Sequence, residues 1–168
     1  MPQVRAIPQG REHPIPHLIV PNGAEAIRFY ERAFGAEATQ AVKTPDGKLL
    51  HAELKLGSSV LYLAEDMPEM CGGKARTPQA LGGSPVNIHR YVTDVDAAMK
   101  RAAEAGATVI MPAMDMFWGD RYGQIVDPFG HVWSLATHIA DPSPDEVAQA
   151  AEKICREASA TPPKAGKL

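Results

Sequence analysis

Apolar residues follow two periods along this chain, and the two periods recur in the same order twice. Residues 17–20, HLIV, form a short apolar run that Pro21-Asn22-Gly23 closes. Residues 24–34 then carry Ala26, Ile27, Tyr30, Ala33 and Phe34 at helical spacing, and Gly35 stands where a left-handed C-terminal cap belongs. Strands are predicted over 37–43, 49–56 and 60–64, with Pro45-Asp46-Gly47 and Gly57-Ser58-Ser59 as the turns between them. After residue 85 the series restarts. Residues 86–92 alternate, with Asn87, His89 and Tyr91 against Ile88, Arg90 and Val92. Thr93 is placed to cap a helix over 94–105, with Asp96 three residues on, and Gly106 closes it. Strands over 108–111, 121–126 and 131–137 complete the second unit.

Both halves read βαβββ. His17-Leu18-Ile19-Val20 matches His89-Arg90-Tyr91-Val92, and Gly35-Ala36 matches Gly106-Ala107. The fold class is therefore α+β, with two βαβββ modules whose curved mixed sheets enclose a cleft. The expected organisation is a flexible arm over 1–13, a first module over 14–65, a linker loop over 66–84 and a second module over 85–139. A C-terminal helix follows over 140–160, then a disordered tail over 161–168. Ser143-Pro144-Asp145-Glu146 carries the start signals of that helix. Val147, Ala150, Ala151, Ile154 and Ala158 give it one apolar stripe, which needs a cover.

The second module closes on residues 117–138, FWGDRYGQIVDPFGHVWSLATH. Asp127-Pro128-Phe129-Gly130 reads as a tight reversal between two strands. In the last strand Val132, Ser134 and Ala136 share one face, and Trp133, Leu135 and Thr137 the other. Trp118, Asp120, Arg121 and Tyr122 crowd before the turn, which marks this hairpin as the first place to look for chemistry.

Composition narrows the functions. The 168 residues are 45% hydrophobic and 22% charged, and the formal net charge is -3. That balance gives no electrostatic reason to expect a nucleic-acid or anionic-membrane partner. No apolar run approaches the ~20 residues that span a bilayer, and the N-terminus lacks an apolar signal core. Cys71 and Cys155 form no CxxC pair, so neither a zinc knuckle nor a disulfide framework is indicated, and a reducing cytoplasm is the expected location. The serines lack a nucleophile-elbow context, and the Gly-Gly pairs open no helix.

The two βαβββ units, the helix reading Ala-Ile-Arg-Phe-Tyr-Glu-Arg-Ala-Phe-Gly (26–35) and Asp-Pro-Phe-Gly-His (127–131) together resemble the glyoxalase/bleomycin-resistance/extradiol-dioxygenase family, the vicinal oxygen chelate proteins. His-Ala-Glu-Leu (51–54), Gly-Gly-Ser-Pro-Val (82–86) and Phe-Trp-Gly-Asp-Arg-Tyr-Gly (117–123) resemble its PhnB-like branch. The resemblance covers residues 14–139 and implies a homodimer. It also implies four divalent-metal positions on the first and fourth strands of each half. By alignment these fall at Ile15, Leu63, Asn87 and Ser134, a poor ligand set.

The resemblance and the residues together lead to a protein that binds a small organic molecule in its cleft without the usual metal. The residues expected to line the cleft are His17, His51, His89, Tyr91, Trp118, Arg121, Tyr122 and Ser134. The alternative is a metal-dependent lyase, isomerase or dioxygenase. It would use a shifted divalent-metal site at His17 and His89, with His51 or Glu53 completing it.

Overall fold

The computed structural model describes residues 4–160. The expected tail over 161–168 lies outside these residues, and so does the side chain of Ala158. The first half contains β1 (His17–Val20), α1 (Gly23–Phe34), β2 (Glu37–Lys43), β3 (Leu49–Leu56) and β4 (Ser59–Glu65). The connecting stretch holds α2 (Pro78–Leu81), and the second half contains β5 (Asn87–Tyr91), α3 (Val95–Ala105), β6 (Thr108–Asp115), β7 (Asp120–Val126) and β8 (Val132–His138). α4 (Pro144–Ala160) is the last element of the described residues.

Each half folds one four-stranded mixed sheet, ordered β1-β4-β3-β2 and β5-β8-β7-β6. The outer pairs β1–β4 and β5–β8 are parallel, and the remaining neighbours are antiparallel. The α+β fold of two βαβββ units read from the sequence is the fold observed.

One face of each sheet is buried against the helices, and α1 packs on α3. Phe29, Tyr30 and Phe34 of α1 reach across to Phe129 and Trp133 of the second half, with Phe34 and Trp133 ring centroids 4.5 Å apart. Such ring pairs add roughly 0.5–1.5 kcal/mol each beyond the area they bury. Asp127 sits at the centre of this seam. Its Oδ1 accepts from the backbone N–H groups of Phe129 and His131, both at 2.9 Å. Its Oδ2 accepts from Tyr30 Oη at 2.6 Å and Trp133 Nε1 at 3.1 Å. One carboxylate thus fixes the turn and joins the halves. Arg90 and Arg101 of the second half donate to the carbonyls of Phe34 and Ala33, which satisfies the orphan C-terminal carbonyls of α1.

Three elements differ from their sequence reading. The cap of α3 is Asp94, whose side chain accepts from Ala97 N at 2.9 Å, and not Thr93. A carboxylate in extended conformation one residue later captures the free N–H group directly. β6 runs to Asp115, past Pro112, with register shifts around Met111. Pro112, which has no N–H, is tolerated there because β6 is an edge strand and an outward position needs no ladder donor. Residues 66–84 are not a bare loop. Thr77 caps α2, Pro78 is buried, and Gln79 Nε2 donates to Pro128 O at 3.3 Å, so this stretch packs on the 127–130 turn.

α4 starts as expected. Ser143 Oγ accepts from Glu146 N at 3.3 Å, while Glu146 Oε2 accepts from Ser143 N at 2.8 Å. α4 makes no extended contact with any described strand or helix.

Candidate functional site

The face of each sheet turned away from the helices is open, and the registers show what it carries. In the second sheet His89, Ser134 and Gln124 pair across β5, β8 and β7, and Tyr91, Ala136 and Tyr122 form the next row. Asp120 and His138 form the row beyond. Because successive residues of a strand alternate faces, Ile88, Trp133 and Ile125 go to the core.

Rings dominate the open face. Trp118 lies edge-on to Tyr122 at 5.7 Å, Tyr122 stacks with His89 at 5.9 Å and 21°, and His89 meets Tyr91 at 4.8 Å. Polar atoms lie beneath them. Tyr122 Oη and Ser134 Oγ are 2.7 Å apart, and Gln124 Nε2 donates to Tyr122 Oη at 2.7 Å. Ser134 is buried and Tyr91 is exposed. The face therefore offers ring planes to a flat molecule and a hydroxyl–amide cluster to its polar edge.

A buried carboxylate anchors one end of the row. Asp120 Oδ2 accepts from Tyr91 Oη at 2.9 Å and Trp118 Nε1 at 3.0 Å, and Asp120 Oδ1 lies 2.9 Å from His138 Nδ1. Burial pushes the Asp120 carboxyl upward. The bonds from His138, Tyr91 and Trp118 outweigh it and hold the group below the usual carboxylate range. Asp120 in turn raises the His138 imidazole and the Tyr91 hydroxyl, Asp141 adding to the effect on His138. Asp120 thus fixes the two rings that flank the open face.

The first sheet carries a second, smaller group. His17, Tyr62, Glu53 and Gln40 form one row across β1, β4, β3 and β2. His17 lies 5.8 Å from His51 and 5.9 Å from Tyr62, and His51 lies 4.7 Å from Tyr62, measured between ring centroids. Arg11, from the expected flexible arm, ion-pairs with Glu53 in this row.

The residues singled out in the sequence thus fall into separate groups. His89, Tyr91, Trp118, Tyr122 and Ser134 come together on the second sheet. His17 and His51 come together on the first. His17 and His89 border one groove of about 560 Å³ between β1 and β5. Arg121 stands apart from both groups. It falls on the helix-side face of β7 and is held by Asp96 Oδ1 at 2.8 Å, Asp96 Oδ2 at 2.6 Å and Asp115 Oδ1 at 2.8 Å. These pairs raise its guanidinium further above its ordinary value. The period-two pattern that brings in Tyr122 excludes Arg121 and includes Asp120 and Gln124, which sequence reasoning left off the site.

A sequence model of the Glyoxalase/Bleomycin resistance protein/Dioxygenase superfamily matches residues 12–135. The chain belongs to this superfamily. The uncharacterised protein Rv0887c of Mycobacterium tuberculosis is 52% identical over 132 residues, spanning 79% of this chain and 78% of that protein. Among solved structures, TioX from Micromonospora sp. ML1 is similar with 26% identity and a TM-score of 0.59, over 76% of this chain and 99% of TioX. A gene product from Arabidopsis thaliana is similar with 26% identity and a TM-score of 0.61, over 74% and 97%.

Against this superfamily's implied metal positions, the residues present do not fit a divalent ion. Ile15 and Leu63 carry no donor atom. Leu63 is moreover fully buried, paired with Leu18 and Ala52 in the core rows. The true counterpart of Ser134 is Tyr62, because His17 pairs with Tyr62 as His89 pairs with Ser134. A count off by one residue moves a strand position to the other face. Among the described residues, no three His, Cys, Asp or Glu side chains are grouped to hold a metal ion. No described helix is long and apolar enough to cross a membrane.

Proposed function

We propose that this superfamily member binds a small, flat organic molecule on the open face of its second sheet, without the usual metal. The observation that carries the reading is the continuous row Trp118–Tyr122–His89–Tyr91 over the Ser134–Gln124 cluster. Stacked rings bind flat ligands through dispersion and desolvation, and the polar cluster orients them. The sequence phrases that resemble the PhnB-like branch support assigning the chain to it. A cytoplasmic setting suits a chain with two cysteines, Cys71 and Cys155, far apart in sequence and in no CxxC pair.

We further propose a homodimer in which a second copy covers the open faces. Tyr91, Val109, Ile110, Met114 and Ile154 are large apolar side chains left exposed on one chain. An uncovered apolar surface of this kind favours association.

The His17–His51 pair on the first sheet is the specific observation that favours a second reading, a metal-dependent lyase, isomerase or dioxygenase. One experiment separates the two. Thermal unfolding is followed with a set of flat aromatic molecules and, separately, with Zn²⁺, Ni²⁺ and Mn²⁺. Stabilisation by an aromatic molecule at a ligand-to-protein excess, with none from the metals, supports the binding protein. Stabilisation by a metal that His17→Ala abolishes supports the second reading and removes the first.

A further inference from the structure

The groove between β1 and β5 carries one fixed cation. Among the described residues, Arg76, His17, His89 and His131 line it, and no aspartate or glutamate does. Most of the remaining wall is apolar, including Pro78, Leu81 and Val86. Its volume of about 560 Å³ falls within the usual range for small-molecule sites.

Arg76 is held by its backbone, whose N–H donates to Asp66 Oδ2 at 3.0 Å. Its guanidinium makes no hydrogen bond or ion pair to any described residue. His131 is 8% exposed, and its Nε2 sits 3.1 Å from Ile19 O on the unpaired edge of β1. That contact fixes the ring in the wall. Burial, then His51, then Arg76 hold the His17 imidazole below its ordinary value. The Asp66 carboxylate meets the backbone N–H of Arg76 and not its guanidinium, and the planar fork of a guanidinium matches a carboxylate in bidentate fashion.

We propose that this groove takes the carboxylate end of a small organic acid, held by Arg76 between His17 and His89, with the apolar body of the acid against Pro78, Leu81 and Val86. The proposal rests on the ligand-binding reading above, because His89 belongs both to the groove and to the aromatic row. It adds the charge of the ligand and names Arg76, which lies in the stretch between the halves.

The test titrates the full-length protein with 1-naphthoate, its neutral isostere 1-naphthamide, and inorganic phosphate, each to about 10 mM, a range that registers millimolar affinity. Amide and imidazole chemical shifts are followed in wild type and in Arg76→Ala, an exposed position whose change leaves the core untouched. The expected result is binding of naphthoate about tenfold tighter than naphthamide, the scale of a hydrogen bond to a charged group. The preference should be lost in Arg76→Ala, while binding of naphthamide is unchanged. Equal binding of the acid and the amide overturns the carboxylate site and leaves the aromatic face standing. A naphthoate preference that survives in Arg76→Ala overturns the role of Arg76 and with it the proposal. Shifts at His17 and near residue 76 with phosphate alone support an anion site and overturn the aromatic face. No shift with any of the three overturns both.

Discussion

Asp127 shows how one residue can matter to this chain without touching a ligand. Four donors converge on it, two of them from the buried side chains of Tyr30 and Trp133. Asp127→Ala leaves both without a partner, and each orphaned buried group costs about 1–3 kcal/mol. The expected loss is therefore at least about 2 kcal/mol in chemical denaturation. An unchanged midpoint would show that the halves are joined by ring packing alone. Tyr30 supplies a pH test of the same contact. Burial, then the Asp127 carboxylate, hold its hydroxyl well above the ordinary 10.0. A raised folded-state value means that this contribution is complete below pH 10.0 and is lost as pH rises through the folded value. Tyr30→Phe should flatten the fall of melting temperature on the alkaline side. An identical fall in the variant would assign alkaline unfolding to other groups. None of this was legible in the sequence. The Asp-Pro-Phe-Gly run marks a turn, but nothing local shows that its aspartate reaches a tyrosine 97 positions away.

At the scale of elements, the closing hairpin was the most legible part of the chain, because alternation assigns faces with no further information. Period two alone puts His89 with Tyr91 and Ser134 with Ala136; the register joins these faces with that of Tyr122, and the same alternation puts Arg121, expected in the cleft, behind Tyr122. Gly130 takes φ +86, and a Cβ there would lie 2.8 Å from Pro78 Cβ. Gly130→Val should therefore cost more than about 1 kcal/mol, through strain at the turn and through displacement of α2. Wild-type stability in that variant would mean that the turn is not under constraint. α4 was legible in its boundaries and its stripe, but not in what covers the stripe. On one chain Val147, Ala150 and Ala151 are half-buried and Ile154 is 48% exposed. Truncation after Pro142 should leave the circular dichroism of the two halves intact, apart from the lost helix. It should shift sedimentation from dimer to monomer. A truncated chain that still sediments as the full-length species does would take the helix out of the assembly.

At the scale of the whole molecule, the repeat settled the architecture because each βαβββ unit leaves one sheet face that cannot bury itself. The two open faces are unequal. Tyr62 and Glu53 on the first sheet stand where Ser134 and Gln124 stand on the second, and Arg11 lies over the first row only. That difference follows from side-chain identity at matched positions, and the alignment by counting missed it by taking Leu63 for Tyr62. The most direct test of the aromatic face is the fluorescence of Trp118 during titration with a flat aromatic molecule in the presence of EDTA. Trp118→Phe identifies the signal against the buried Trp133. The expected result is saturable quenching that EDTA does not change and that Tyr122→Ala weakens by about tenfold or more, the scale of a lost ring contact and hydrogen bond. Quenching that vanishes with EDTA, or that is the same in Tyr122→Ala, would contradict a metal-free ligand site on this face.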